Sequence, residues 1–308
     1  MKTLKATSNL LTLLVLLVCA ITLRAQSPGT PGPALITPAQ TSTPSDSPLD
    51  PKLPTLFVVG DSTARNGADL GWGDHLAQHF DTSRLNIANR ARAGRSSRSF
   101  YNEGLWDHVL SELKPGDFVL IQMGHNDGGT TTPQTDAKAR NSYKGIGEET
   151  AAYTLPKPFT TGPLAGQSTE TIHTYGWYLR KYIADTRAKG ATPILLTPTI
   201  RNIWTKPTPT PTQALTPDDS ANKPQIERDM GFHTYLEKIA FAEHVLLADM
   251  ATVAANGFQA LGPERTAAYF PIDHTHTSAA GADLNAQSVV TALRNANLPL
   301  ITYLKPPQ

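Results

Sequence analysis

The chain has 308 residues, 39% hydrophobic and 17% charged, with 27 Lys and Arg against 26 Asp and Glu for a formal charge of +1. This balance excludes a disordered polyampholyte and a strongly basic nucleic-acid binder, so function must lie in a localised site. The single cysteine, Cys19, falls in the first apolar run, so a mature chain cut beyond it has no disulfide, no thiolate nucleophile and no cysteine-ligated metal.

Residues 1–25 read as an export signal. Lys2 and Lys5 precede a nearly wholly apolar run from Leu10 to Leu23, and Leu23-Arg24-Ala25 ends on a small residue where a signal peptidase can cut, with Ala20 as an alternative. The apolar run is shorter than the ~20 residues of a membrane span. Cleavage after Ala25 removes Lys2, Lys5 and Arg24 and no acid, which turns the charge from +1 to −2. The expected product is secreted or periplasmic, with no membrane attachment and no nucleic-acid partner. Residues 26–54 carry Pro28, Pro31, Pro33, Pro38, Pro44, Pro48, Pro51 and Pro54 among Ser, Thr and Gly, the composition of an extended linker or tail.

The folded domain is expected over 55–308. It opens with Thr55-Leu56-Phe57-Val58-Val59, an apolar run rich in β-branched residues and stopped by Gly60. Similar runs at Leu85–Ala88, Asp117–Met123, Thr192–Thr197 and Val245–Asp249 complete five predicted strands. Helical patterns occupy Trp72–Phe80, Leu105–Leu113, Ile172–Lys189, Met230–Glu243 and Ser278 to about Asn295, and Lys189-Gly190 is a good helix stop. Continuously apolar strands separated by helices imply a parallel sheet covered on both faces, an α/β fold of the three-layer α/β/α sandwich type. Gly128–Ser168 and Lys206–Asn222 break the alternation. Each follows a strand, so each is either a wall of a binding cleft or a surface loop.

Chemistry gathers where the strands end. Strand one runs into Gly60-Asp61-Ser62-Thr63, which places Ser62 at a strand-to-helix turn, the position of a nucleophile or of a helix N-cap. A serine nucleophile needs a base, and the base needs an orienter. In Asp273-His274-Thr275-His276 an aspartate three residues before a histidine can turn its carboxylate back onto one imidazole nitrogen, leaving the other for Ser62. His276 is then the base, and His274 is the competing choice. Two other readings of this segment exist: Asp273 caps the last helix beside surface histidines, or Asp273, His274 and His276 hold a metal, which no spacing elsewhere completes. Ala93-Gly94-Arg95-Ser96 after strand two and Gly124-His125-Asn126-Asp127 after strand three offer a close-approaching Gly94 amide and an Asn126 side-chain donor, as an oxyanion hole requires. Each segment alone is also ordinary turn chemistry.

Gly60-Asp61-Ser62, Gly94, Gly124-x-Asn126-Asp127 and Asp273-x-x-His276 resemble the four ordered blocks of the GDSL/SGNH hydrolase superfamily. Within it, Gly60-Asp61-Ser62-Thr63, Gly71-Trp72-Gly73, Ala93-Gly94-Arg95-Ser96 and the run Phe270 to Ser278 are most similar to rhamnogalacturonan acetylesterases. The resemblance implies a flavodoxin-like sheet of five parallel strands and no cofactor or metal. It implies Ser62 as nucleophile, Asp273 and His276 as its triad partners, and the Ser62 amide, the Gly94 amide and the Asn126 side chain as oxyanion donors. The implied activity is that of an exported serine esterase removing O-acetyl groups from a plant cell-wall polysaccharide, rhamnogalacturonan (pectin) foremost, through an acetyl-enzyme on Ser62, with another acetylated glycan such as xylan, small esters or a non-catalytic carbohydrate-binding role as alternatives. Arg90, Arg92, Arg95 and Arg98 crowd the Gly94 segment, and Arg95 or Arg98 is expected to line the cleft and select a carboxylate-bearing polymer. Pairing of these arginines with nearby acids, Asp107 and Glu112 among them, is the competing reading.

Overall fold

The computed structural model describes residues 48–67, 69–128, 132–136, 138–205 and 223–306. The expected export signal, most of the expected tail and the segment Lys206–Asn222 lie outside them. The nine described strands are β1 (Thr55–Gly60), β2 (Asn86–Asn89), β3 (Phe118–Gln122), β4 (Ala151–Thr154), β5 (Thr169–Ile172), β6 (Thr192–Leu196), β7 (Trp204–Thr205), β8 (Gln225–Ile226) and β9 (Leu246–Ala248). The helices are α1 (Ser97–Asn102), α2 (Leu105–Glu112), α3 (Tyr175–Ala188), α4 (His233–Ala242), α5 (Met250–Leu261), α6 (Pro263–Ala267) and α7 (Ala279–Asn295), with 3-10 helices at Trp72–His79 and Pro299–Tyr303. No helix among the described residues is long and apolar enough to cross a membrane.

Five strands form one parallel sheet in the order β2-β1-β3-β6-β9. Every residue of β1 and β3 is buried, because alternate side chains serve opposite faces. Leu56, Val58 and Leu120 pack with Trp72, Leu76, Val289 and Leu293 on one side. Phe57, Val59, Val119 and Ile121 pack with Trp106, Leu179, Ile183 and Ile239 on the other. Burial contributes about 1.5–3 kcal/mol for each such side chain, which is why these runs carry no polar alternation. Two layers of helices around a parallel sheet make the α/β/α sandwich read from the sequence.

The strand order also places the site. The connection after β1 packs as a 3-10 helix on the α7 side, whereas those after β2, β3 and β6 lead to helices on the opposite side. Neighbouring strands β1 and β3 therefore send their chains to opposite faces, and in open parallel sheets it is at the C-terminal ends of such strands that ligand sites form.

Three local differences from the predicted elements have plain causes. The chain engages the domain before Thr55: Leu49 packs on the core, Asn86 Nδ2 donates to the Asp50 carbonyl at 2.8 Å, and Lys114 Nζ donates to the Leu53 carbonyl at 2.7 Å. Helix α3 begins at Tyr175 and not at Ile172, because Thr174 caps it by accepting from the Trp177 amide at 3.0 Å, while Ile172 closes strand β5. Asp249, read from the sequence as the end of a strand, is the N-cap of α5, accepting from the Thr252 amide at 3.1 Å.

Candidate active site

The turn after β1 is built around Asp61. Its Oδ1 accepts from the Thr63 amide at 2.8 Å, and its carbonyl accepts from the Ala64 and Arg65 amides at 3.2 and 3.1 Å. This knot leaves Ser62 at its apex, buried apart from a small opening. The turn is backed closely by the chain at Gly71: a Cβ there would stand 2.4 Å from the Ala64 carbonyl, so only glycine fits. Trp72 then reaches under the sheet edge, its amide donating to the Thr63 carbonyl and its indole N–H to Gln122 Oε1 at 2.8 Å.

The loop before α7 meets this turn. His276 Nε2 lies 2.8 Å from Ser62 Oγ, and His276 Nδ1 lies 2.7 Å from Asp273 Oδ2. Asp273 Oδ1 accepts from the amides of Thr275 and His276, both at 2.7 Å. Burial by itself would raise the Asp273 carboxyl, but the hydrogen bonds from the His276 ring, the His276 amide and the Thr275 amide outweigh it and hold the pKa at about 2. An ionised Asp273 selects the tautomer with a proton on Nδ1, which leaves Nε2 as an acceptor for the serine hydroxyl. His274 does not reach Ser62. It is exposed, and its carbonyl accepts from the Asn202 amide at 2.7 Å, which ties the loop to the chain beyond β6. Among the described residues no group of three His, Cys, Asp or Glu side chains is arranged to hold a metal ion.

Gly94 adopts φ +76°, a left-handed conformation that strains any other residue. Among the described residues neither its amide nor that of Ser62 donates to a protein acceptor, so both are available to a ligand. Asn126 Nδ2 donates to the Arg95 carbonyl at 3.1 Å, which ties the β3 loop to the β2 loop. Next to it, Asp127 is buried, accepting from the Ser97 amide at 3.1 Å, from the Ser97 hydroxyl and from Ser142 Oγ. Burial raises its pKa to about 6 against the opposing effect of these donors.

The expected role of Arg98 is corrected. Its side chain is wholly buried and ion-paired with Glu170, which also accepts from Asn102, and its Nη1 donates to the Asn141 carbonyl at 2.8 Å. The guanidinium stands 5.0 Å from the centroid of the Tyr153 ring. A cation so placed anchors the β4–β5 hairpin to α1 and has no donor to offer a polymer. Arg95 lies at the surface but pairs with Glu103 at 2.8 Å, and Arg90 pairs with Glu112 at 2.7 Å, as the competing reading held for Glu112. The residue that sequence reading missed is Arg140, in the excursion after β3. Its Nη1 donates to Asn126 Oδ1 at 2.9 Å and approaches the Gly94 carbonyl at 3.3 Å. Nothing in the spacing of Lys138-Ala139-Arg140-Asn141 marks it.

Residues 58–284 match the GDSL-like Lipase/Acylhydrolase family. The chain is 30% identical over 239 residues to a rhamnogalacturonan acetylesterase of Emericella nidulans, covering 78% of this chain and 84% of that protein. It is 28% identical over 254 residues to the probable rhamnogalacturonan acetylesterase YesY of Bacillus subtilis, covering 80% of this chain and 94% of the relative. Among solved structures, the Bacillus subtilis protein YxiM superposes with a TM-score of 0.56 at 24% identity, over 80% of this chain and 58% of the length of that one. With the family's match spanning most of the described domain, serine, glycine and asparagine following its strand ends and histidine in the loop before α7, the chain belongs to the GDSL-like lipase/acylhydrolase family.

Proposed function

We propose that the protein is an exported serine esterase that removes O-acetyl groups from a plant cell-wall polysaccharide, rhamnogalacturonan foremost. The observation that carries the esterase reading is the continuous chain from Ser62 Oγ through His276 to Asp273, at 2.8 and 2.7 Å. The choice of sugar is supported by the relatives named as rhamnogalacturonan acetylesterases, and export by the Lys2 to Ala25 signal pattern.

In this mechanism Ser62 Oγ attacks the acetyl carbonyl while its proton passes to His276 Nε2. Asp273 steadies the imidazolium. The carbonyl oxygen becomes an oxyanion, for which this reading assigns the Ser62 amide, the Gly94 amide and Asn126 Nδ2 as donors; two are backbone groups and the third belongs to a side chain held at both ends, so little reorganisation is needed. Collapse of the tetrahedral intermediate breaks the ester C–O bond, and His276 returns its proton to the departing sugar oxygen. Water, activated in turn by His276, then attacks the acetyl-Ser62 ester, and acetate leaves with Ser62 restored.

The test is acetate release by the wild type and Ser62→Ala from acetylated rhamnogalacturonan, acetylated xylan and a neutral aryl acetate. Wild-type turnover of all three, highest kcat/KM on rhamnogalacturonan and a loss of several orders of magnitude in Ser62→Ala is the expected result. Preference for xylan would overturn the substrate and leave the chemistry. Absence of turnover on every ester would leave a carbohydrate-binding protein.

A further inference from the structure

We propose that Arg140 is the positioning residue of the oxyanion hole, orienting the Asn126 carboxamide. The proposal rests on the serine-esterase reading and concerns a residue from the long excursion after β3, outside the short motifs that supply Ser62, Gly94, Asn126, Asp273 and His276.

The two ends of a carboxamide are alike in shape and opposite in chemistry: Oδ1 only accepts, Nδ2 only donates. Asn126 could serve an oxyanion only with Nδ2 toward it. A guanidinium has no acceptor, so Arg140 Nη1 at 2.9 Å from Oδ1 forbids the flipped amide, which would set donor against donor. On the other end, Nδ2 spends one hydrogen on the Arg95 carbonyl at 3.1 Å and keeps the second. The same Nη1 lies 3.3 Å from the Gly94 carbonyl, so its two hydrogens bridge the loops after β2 and β3. A Cβ built on Gly94 would sit 3.8 Å from Nη1, in ordinary contact, so the guanidinium lies directly against the Gly94 backbone.

Arg140 is itself held from both sides of its backbone. Its amide donates to Asp136 Oδ2 at 2.7 Å, and its carbonyl accepts from Ser96 Oγ at 2.5 Å. Ser96 is the N-cap of α1 and follows Gly94-Arg95 directly, so the excursion and the Gly94 loop are locked together before the side chain contributes anything. Removing the guanidinium therefore subtracts the grip on Asn126 without unhooking the loop.

Arg90, Arg95, Arg98, Arg180 and Arg201 each pair with a glutamate; among the described residues no carboxylate is in ion-pair contact with the Arg140 guanidinium, although the Asp136 carboxylate interacts with its charge at longer range. A cation bonded to Oδ1 polarises the amide and strengthens the N–H opposite.

Kinetics on a neutral aryl acetate, which makes no sugar contacts, test the proposal with Arg140→Ala, Arg140→Lys, Asn126→Ala and the double variant Arg140→Ala/Asn126→Ala. Arg140→Ala is expected to lower kcat about tenfold to a hundredfold with KM moved less than about threefold, and Arg140→Lys to recover part of the loss. In the Asn126→Ala background the same Arg140→Ala change is expected to cost less than about threefold, because the group it orients is gone. Should Arg140→Ala fail to fold, Arg140→Gln, which keeps stem volume and a neutral donor, takes its place in the cycle. A kcat within about twofold of wild type, a loss confined to KM, or an equal loss with and without Asn126 would overturn the proposal. A wild type that turns over no aryl acetate strikes instead at the esterase reading beneath it.

Discussion

The loop leading into α7 and the excursion between β3 and α3 both reach the ends of the strands, and they are built on opposite principles. In the first, Asp273 accepts from the Thr275 and His276 amides and from the His276 ring, so four consecutive residues define one another's geometry. The second spans more than forty residues and is held by partners far away in the chain: Arg98 pairs with Glu170, Ser96 bonds the Arg140 carbonyl, and Ser97 bonds Asp127. A self-contained loop can stay exposed and still be ordered. A long polar excursion needs buried anchors, because closing it costs entropy that its own few apolar residues do not repay.

This contrast is broken most severely at the self-contained loop. Asp273→Asn keeps the shape of the side chain but removes the charge that selects the Nδ1–H tautomer, and kcat on an aryl acetate should fall by roughly 10³–10⁴ with the melting temperature little changed. In the wild type the Asp273 carboxyl, depressed to about 2, is ionised throughout the range above that pH. Any contribution it makes to stability is complete above its ordinary carboxylate range and lost as pH falls toward about 2. Loss of activity between pH 4 and 6 would then have to arise from another group, and a pH–rate profile of both forms checks this.

At the excursion the large effect should be on folding and not on chemistry. Arg98→Leu leaves Glu170 buried without its cation, and breaking such a pair costs about 3–5 kcal/mol. Denaturant unfolding should show that loss, and the double variant Arg98→Leu/Glu170→Leu should recover much of it. Recovery of nothing would mean that the pair is not what anchors the hairpin.

Asp127 sharpens the comparison, since it joins the excursion to the start of α1 through Ser142 and Ser97. Its folded pKa, near 6, lies above that of an unfolded aspartate, so the folded state binds the proton more tightly. Stability contributed by this group is therefore present below the ordinary carboxylate range and declines as pH rises to about 6, by about 3 kcal/mol at most. Subtracting the pH–stability curve of Asp127→Asn from that of the wild type should isolate a fall with this sign.

The smallest effect belongs to Arg95. Its pair with Glu103 is partly exposed, and such pairs contribute little. Arg95→Ala should change kcat/KM on acetylated rhamnogalacturonan by less than about threefold at low and at high salt. A larger, salt-sensitive loss confined to the polymer would restore Arg95 as a selector of acidic substrates.

Much of the architecture was legible from residue type alone. Apolar β-branched runs of five or six residues announce strands buried on both faces, and Gly60-Asp61-Ser62 and Asp273-x-x-His276 announce their chemistry, because each depends on neighbours within a few positions. Helix α5 was not legible: Met250 to Leu261 is rich in alanine and holds Gly257, and its cap Asp249 follows a strand without a break. The β4–β5 hairpin escaped for a related reason, since its residues alternate between exposed and half-buried or buried and lack a strong apolar pattern.

By itself the sequence determined the parallel sandwich, the strand ends that carry Ser62, Gly94 and Asn126, and the local geometry of Asp273 and His276, all set by hydrophobic period and by hydrogen bonds of short span. Only the tertiary structure decided what the arginines do. Four of them crowd around Gly94 in the chain, yet Arg98 is consumed by a glutamate 72 positions away, while Arg140, 46 positions from Gly94, is the one against its backbone. A guanidinium's partner is chosen by which carboxylates and carbonyls folding brings within about 3 Å, and that is a property of contacts between distant segments, which no local pattern of charge encodes.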